Sequence, residues 1–141
     1  LYVKRESRRD AMRVVHRMAE ALKDGDIVGV FPEGTTGDGS AVLPFHSGLI
    51  QAAISAGAPV RPVGLQIVDD RSGKLSRAAS YTGDESILGS IWRTLCARDL
   101  CVVVPFGTQQ LAAGRDRHAW ARDLQQEIVA MREAANHPLP S

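Results

Sequence analysis

Glu33 is the side chain whose surroundings best suit work on a polar substrate. It lies in the run Phe-Pro-Glu-Gly-Thr at 31–35, directly after an apolar segment. Because Pro32 has no amide proton and fixes its own φ, we predict that a buried strand over 26–31 ends there and presents Glu33 from a loop. Glycines at 34, 37 and 39 would let a ligand approach the main-chain amides closely. The alternative is an ordinary strand-to-loop turn with solvated polar residues.

Four segments of the chain, in order, resemble sequence blocks of the glycerolipid acyltransferases, the family of 1-acyl-glycerol-3-phosphate acyltransferases. The run at 31–35 is similar to the third block, and Leu-Tyr-Val-Lys-Arg at 1–5 to the second, in which an apolar strand ends in an arginine. Leu-Pro-Phe-His-Ser-Gly at 43–48 is similar to the turn after the third block, and Val-Arg-Pro-Val-Gly at 60–64 to the fourth. Four matches in register are far more specific than one.

The resemblance implies an acyltransferase of phospholipid biosynthesis. Its donor would be an acyl thioester, either acyl-CoA or acyl-ACP, and its acceptor a lysophospholipid hydroxyl, with 1-acyl-glycerol-3-phosphate expected. The family's first block, a histidine and an aspartate separated by four residues, is expected before Leu1. We therefore expect no catalytic residue in this chain, an inactive fragment, and no metal or redox cofactor. The missing N-terminal part would bring the full protein to the cytoplasmic face of a membrane, whereas the segment itself is expected to be soluble.

Five residues are the expected substrate-binding set: Arg5, Glu33, Gly34, Thr35 and His46. Arg5 matches the arginine of the second block and would offer paired donors to a phosphate. Glu33 would orient a glycerol hydroxyl, and the two residues after it would bring amide and hydroxyl donors close. His46 stands where the family often has a lysine, so that its phosphate contact would depend on pH. The alternatives are a surface arginine at Arg5 and a solvated loop histidine at His46.

Two other pairings of chemically active residues compete with this set. His118 and Asp123 reproduce the spacing of the first block, but both lie in a segment with helical periodicity, where side chains five residues apart diverge. Glu33 with Asp38 on one loop would suit a carboxylate-dependent hydrolase, the least favoured function. Thr36 departs from the family, many of whose members have an arginine there, and this bears on how tightly phosphate is held. The main rival to the enzyme is a non-catalytic module that binds phosphate or a lipid head group.

Composition fits one domain over 1–135 that lacks its N-terminal catalytic block, followed by a disordered tail at 136–141. The 141 residues are 44% hydrophobic and carry a formal charge of +1, which argues against a nucleic-acid binder. No run reaches the roughly 20 apolar residues of a membrane span. The two cysteines, Cys96 and Cys101, are predicted to be buried thiols, and no residues have the spacing of a metal site.

Helical and strand patterns alternate along the chain. Helices are predicted over 8–23, 47–56 and 117–134, and a further one through Ile87, Ile91 and Leu95. Strands are predicted over 26–31, 60–68 and 100–106, the last covered on both faces. The expected fold class is α/β, with helices and strands alternating around a largely parallel or mixed sheet in a two-layer or sandwich arrangement. Trp92 and Trp120 are predicted to be core anchors.

Overall fold

Four helices and two strands make up the regular structure of the computed structural model, which describes residues 8–35, 37, 39–76, 78 and 86–135. In chain order they are α1 (Arg8–Lys23), α2 (Ser47–Ala56), β1 (Gln66–Asp69), α3 (Ile87–Cys96), β2 (Leu100–Val103) and α4 (Arg117–Ala135). The predicted mixture of helix and strand is confirmed, and so are the three helices predicted over 8–23, 47–56 and 117–134. None of the described helices is long and apolar enough to cross a membrane.

The chain divides into two compact units. The first takes in Pro44–Arg61, Thr108–Leu124 and the described residues up to Gly34. The second takes in Pro62–Gly107, the described residues from Thr35 to Leu43, and α4 from Gln125 onward. One domain over 1–135 stays a prediction, and the predicted tail at 136–141 lies outside the described residues.

The core of the first unit forms where α2 meets the start of α4. Its buried members are apolar or small: Ile50, Ala53, Trp120, Ala121 and Leu124. The helix α1 packs on α2, and α2 ends where Gly57 adopts the left-handed conformation with φ of 62°. Trp120 is fully buried, with 0% of its surface exposed, which confirms its predicted role as a core anchor.

Arg115 ties the loop before α4 to the helix. Its guanidinium pairs with the carboxylate of Asp123 at 2.9 Å and donates to the side-chain oxygen of Gln110 at 2.9 Å. The indole N–H of Trp120 donates to that same oxygen at 3.1 Å, and the guanidinium carbon lies 5.4 Å from the ring centroid. The polar edge of the buried indole is therefore satisfied, as burial of a tryptophan requires.

Asp116 caps the start of α4. Its Oδ1 accepts hydrogen bonds from the amides of His118 at 2.7 Å and Ala119 at 3.1 Å. The amide bonds from Ala119 and then His118 lower the pKa of this carboxyl from its ordinary value of 3.8, because they favour the charged form.

We expect the Asp116 carboxylate to contribute stability that depends on pH. Since its pKa is lower in the folded chain, that contribution is complete above pH 3.8 and is lost as the pH falls through the folded pKa. Asp116→Asn keeps an acceptor at the cap but removes the charge, so its melting temperature should lie below the parent's at pH 7 and converge with it at lower pH. Thermal unfolding by circular dichroism from pH 7 to pH 2 measures this. Asp70→Asn, at an exposed position without a cap, is the control, and parallel curves for Asp116→Asn and the parent would contradict the assignment.

The second unit holds an antiparallel pair, β1 and β2, with Gln66 opposite Val103 and Asp69 opposite Leu100. Isolated bridges join Val63 to Phe106 and Val68 to Leu75. The strands predicted over 60–68 and 100–106 are thus shorter than expected, since Pro62 and Pro105 have no N–H to donate to a ladder. The prediction that the strand over 100–106 is covered on both faces is also wrong, because the side chain of Val102 is exposed. A larger parallel or sandwiched sheet stays a prediction.

The strand predicted over 26–31 is wrong. These residues have no strand assignment, and the side chain of Ile27 is fully exposed at 100%. An extended segment becomes a strand only when a neighbour accepts and donates its backbone hydrogen bonds. No other segment within the described part of the chain pairs with 26–31, and the side chain of Phe31 is also exposed.

The helix α3 also departs from prediction. It begins after Ser86, whose hydroxyl accepts from the Gly89 amide at 3.0 Å. Trp92 is 70% exposed, and Cys96 is an exposed free thiol, so the predicted core role of the first and burial of the second are wrong. Cys101 is half-buried and free. Apolar periodicity identified the helix correctly but could not show which face turns inward.

Candidate functional site

The run at 31–35 opens with a tight turn. The amide of Gly34 donates to the carbonyl of Phe31 at 3.2 Å, so that Pro32 and Glu33 are the two central residues of a four-residue turn. Proline is favoured at the first central position because its fixed φ matches the turn. Gly34 has φ of 65°, a left-handed value that glycine adopts without steric cost. The side chain of Glu33 is half-buried. Glu33 lies within this turn, whereas the sequence had predicted that it follows the end of a strand.

His46 closes onto this turn. Its backbone amide donates to the carbonyl of Pro32 at 2.8 Å. Its ring lies against Gly34 so closely that an added Cβ there would stand 2.6 Å from Cδ2 and 2.7 Å from Nε2. The structure thus brings together Gly34 and His46, two predicted site residues twelve positions apart, with Glu33 next to the contact.

The same histidine occupies the N-cap of α2. Its backbone is extended, with φ of −68° and ψ of 100°, and its side chain makes no capping hydrogen bond. The first turn of α2 has no acidic residue, and the leading amides of a helix have no partner within that helix. These amides and the positive end of the helix dipole favour an anion. Sequence reasoning missed this helix end, although the position of His46 directly before the predicted helix start at Ser47 could have signalled it.

The remaining predicted residues are placed as follows. Arg5 lies outside the described residues, as do Thr36 and Asp38, so their proposed contacts stay predictions. Thr35 is exposed and belongs to the second unit. Of the predicted titratable residues at this turn, the structure therefore describes Glu33 and His46.

His118 and Asp123, which share the spacing of the family's first block, serve other roles in the structure. The carboxylate of Asp123 is the partner of Arg115 at 2.9 Å, and the Nε2 atom of His118 accepts from the guanidinium of Arg117 at 3.3 Å. Both residues belong to α4. These contacts support the interpretation of the pair as a helix surface rather than a base with its orienting acid.

The part of the chain that holds this turn matches a known protein family. The family described as Acyltransferase matches residues 1–66, a stretch that contains the turn at 31–34, His46 and the start of α2. The resemblance to the acyltransferases is confirmed. The match ends at the first strand, so it covers all five predicted substrate-binding residues and the helix end beside them.

Similar proteins among curated sequences are acyltransferases. A 1-acyl-sn-glycerol-3-phosphate acyltransferase of Neisseria gonorrhoeae is 33% identical over 132 residues, which are 93% of this chain and 51% of the relative. A lyso-ornithine lipid O-acyltransferase of Pseudomonas aeruginosa is 32% identical over 128 residues, 91% of this chain and 48% of the relative. A 1-acyl-sn-glycerol-3-phosphate acyltransferase alpha of Mus musculus is 31% identical over 84 residues, 59% of this chain and 30% of the relative. The chain spans about half the length of the first two. No solved structure matches it significantly.

Proposed function

We propose that this chain is the acceptor-binding part of an acyltransferase that moves a fatty acyl group from an acyl thioester to the free hydroxyl of a lysophospholipid. The observation that carries the proposal is the closure of His46 onto the turn that presents Glu33, with the amide of His46 bonded to the Pro32 carbonyl at 2.8 Å. Glu33 belongs to this turn, and His46, against whose ring Gly34 lies, is also the N-cap residue of α2. Such a loop can hold a molecule that carries both a hydroxyl and an anionic group.

The proposed division of labour follows from the charge of each group. Glu33 cannot hold a phosphate, because like charges repel, but its carboxylate accepts a hydrogen bond from a glycerol hydroxyl and fixes its direction. The phosphate is held by Arg5 together with His46 and the first amides of α2. Gly34 and Thr35 supply amide and hydroxyl donors beside the hydroxyl being acylated. Fixing both ends of the acceptor converts an encounter in solution into a positioned reaction.

The acyl transfer itself needs a base. A base takes the acceptor's hydroxyl proton as the oxygen attacks the thioester carbonyl carbon, the carbon–sulfur bond then breaks, and the departing thiolate takes up the proton. We propose that this base is the histidine of a histidine–aspartate block before Leu1, and that this chain alone is inactive. Because the thioester is already activated, the reaction requires neither a metal nor a redox cofactor. The same preceding segment is proposed to place the full protein at the cytoplasmic face of a membrane.

Two acceptor classes compete. The relatives include 1-acyl-sn-glycerol-3-phosphate acyltransferases and lyso-ornithine lipid O-acyltransferases at nearly equal identity, 33% and 32%. The anion-favouring end of α2, which has no acid in its first turn, supports the phosphate-bearing acceptor. Thr36, in place of the arginine common in the family, supports the second class. We propose 1-acyl-glycerol-3-phosphate as the main acceptor.

Glu33→Gln, made in the protein extended at its N-terminus to include the histidine–aspartate block, should lower kcat/KM for acyl transfer by about 10- to 100-fold. That is the range expected when a charge-assisted hydrogen bond to the acceptor is lost. Steady-state assays with acyl-CoA and acyl-ACP as donors, and with each acceptor, measure it. Arg5→Ala should raise KM most for the phosphate-bearing acceptor.

The control is Glu20→Gln, the same change on the exposed surface of α1, where the carboxylate pairs with His16 at 3.3 Å. Its kinetics should equal the parent's. If Glu33→Gln and Arg5→Ala both kept the parent's rate and acceptor saturation, the assigned roles would be wrong. An extended protein that binds lysophospholipid without acylating it would favour the non-catalytic module.

A further inference from the structure

Two side chains of the last helix bind the glycine-rich loop that follows Thr35. The guanidinium of Arg132 donates to the carbonyl of Gly39, and the side-chain amide of Gln125 donates to the carbonyl of Val42 at 3.2 Å. The donors lie 93 and 83 residues beyond their acceptors, and all these residues belong to the second unit. A loop rich in glycine has much conformational freedom to lose, so bonds from a distant helix are an effective restraint on it.

The order of the two bonds shows how the loop runs. Gln125 and Arg132 are seven residues apart in α4, so their side chains leave the same face of the helix, about 10 Å apart along its axis. Gly39 meets the later of the two and Val42 the earlier. The segment 39–42 therefore follows one face of α4 in the direction opposite to the helix.

Arg132 is more than a solvated charge at the end of α4. Its stem passes Gly64, where an added Cβ would stand 3.5 Å from the Cγ of Arg132. Its Nε is buried and has no hydrogen-bond partner within the described part of the chain. A buried donor without a partner costs free energy, and an arginine that only complemented the helix dipole would avoid this cost by keeping its head group in water. Packing on Gly64 and the bond to Gly39 therefore hold this side chain in place.

The two segments that Arg132 contacts both belong to the acyltransferase resemblance. Gly39 lies in the loop directly after the run at 31–35, and Gly64 ends the run at 60–64 that is similar to the fourth block. Arg132 itself lies outside residues 1–66, to which the family match extends. A residue beyond the family match thus contacts two segments within it.

We propose that Arg132, together with Gln125, is a positioning residue for the acyl acceptor. The two bonds hold the segment 39–42, and through it the exposed Gly37 and Thr35, so that the amide and hydroxyl donors of the loop keep one arrangement toward the acceptor. Arg132 acts through the loop and does not touch the reacting atoms. The inference deepens the proposed function and rests on it for the acceptor, whereas the restraint of the loop by α4 does not.

Four variants isolate the two bonds. Arg132→Met keeps an unbranched stem beside Gly64 but has no donor, and Arg132→Lys keeps a donor and the positive charge. Gln125→Glu replaces the amide that donates to Val42 by a carboxylate, which only accepts. The matched control is Arg122→Met, the same change at an exposed arginine of α4.

The order of the loop is measured on the chain itself, without turnover. Backbone ¹⁵N relaxation by NMR should give order parameters of about 0.85, the value of rigid backbone, at Gly39 and Val42 in the parent and in Arg122→Met. In Arg132→Met the value at Gly39 should fall to about 0.6, and Arg132→Lys should restore most of the loss. In Gln125→Glu the fall should be largest at Val42. Far-UV circular dichroism checks that each variant is folded.

Kinetics of the N-terminally extended protein test whether the order of the loop serves the acceptor. Arg132→Met should raise KM for the lysophospholipid by about tenfold, with KM for the acyl thioester unchanged, because a poorly held loop weakens binding of one substrate only. Arg132→Lys should recover most of this loss, and Arg122→Met should equal the parent. A merely structural defect would instead lower the amount of active enzyme, and so kcat, without changing either KM.

Three results would overturn the proposal. An unchanged order parameter at Gly39 in Arg132→Met would show that α4 does not restrain the loop. A lower order parameter with an unchanged KM for the acceptor would show that the restraint does not position the acceptor, and the Glu33→Gln test of the proposed function would stand. An extended protein that acylates no lysophospholipid would remove the proposed function and the acceptor role together, while the NMR result would still decide whether α4 restrains the loop.

Discussion

Gly34→Ala is expected to lower kcat/KM of the N-terminally extended protein by about 100-fold, the order of loss that follows when a substrate-positioning group moves by about an ångström. A Cβ at this position would stand 2.6 Å and 2.7 Å from two ring atoms of His46, too close for any side chain to remain in place. Since the ring of His46 is exposed, we expect it to swing away from the turn rather than the fold to give way. Steady-state acylation kinetics measure the loss, and the imidazole NMR signals of His46 report the displacement independently.

Gly57→Ala is the control that distinguishes the loss of the contact between Gly34 and His46 from the strain of placing alanine at a positive φ. Gly57 has nearly the same φ, 62° against 65°, but nothing lies within 4 Å of the position of an added Cβ. Both variants should lose about 1 kcal/mol of stability because alanine is forced into the left-handed region, and only Gly34→Ala should lose activity. In a double-mutant cycle, Gly34→Ala should add little to the effect of His46→Ala. Independent, additive effects would show that the two residues do not act as a unit.

Trp120→Ala is expected to reduce the free energy of unfolding by about 3–5 kcal/mol, a large part of the roughly 5–15 kcal/mol of a typical domain. The indole is 0% exposed, lies in the cluster with Ile50 and Leu124, and donates to Gln110 at 3.1 Å. Its removal leaves a cavity and takes away a hydrogen bond. Equilibrium unfolding in urea measures the change through the midpoint and the slope.

The control for this prediction is the chain's other tryptophan. Trp92→Ala removes the same side chain from a position that is 70% exposed, and its effect on stability should lie within about 0.5 kcal/mol. Similar losses for both variants would mean that the environment of Trp120 in the cluster does not determine its contribution. Should Trp120→Ala fail to fold, Trp120→Phe keeps most of the buried area and should give a smaller, measurable loss.

The sequence predicted the helices well because their signals are local. Small and apolar residues followed by Gly57 specify α2 within a single window, and the observed bounds, Ser47–Ala56, equal the predicted ones. The helix predicted over 117–134, with Trp120 as a core anchor, likewise agrees with α4, where Trp120 and Leu124 are buried. In these cases the residues that form the helix also determine which side is buried.

Strands and exposure were predicted less well because they depend on distant residues. The apolar run at 26–31 has the composition of a strand, but pairing needs a neighbour that no local window reveals. In α3 the periodicity is right, but the apolar stripe is exposed, and the polar residues Arg93 and Thr94 donate to the carbonyl of Ala78. Sequence periodicity shows that two faces exist and not which one the rest of the chain covers.

In the candidate site, too, the sequence predicted local features and missed a feature that depends on distant residues. The motif at 31–35 predicted Glu33 and Gly34 as site residues from sequence alone, and the resemblance added His46. The contact between Gly34 and His46 could not be predicted, because it depends on the path of the eleven residues that connect them. Besides its left-handed backbone conformation, Gly34 therefore leaves room for the imidazole ring of His46, because an added Cβ would collide with that ring.

The exposed run at 26–31 has a practical consequence. A largely apolar backbone that pairs with no other described segment is a template onto which another chain can add a strand. Ile27 and Phe31 both face solvent there, and the one charged residue of the run is Asp26, at its start. Concentrated solutions of this chain should therefore aggregate through intermolecular sheets.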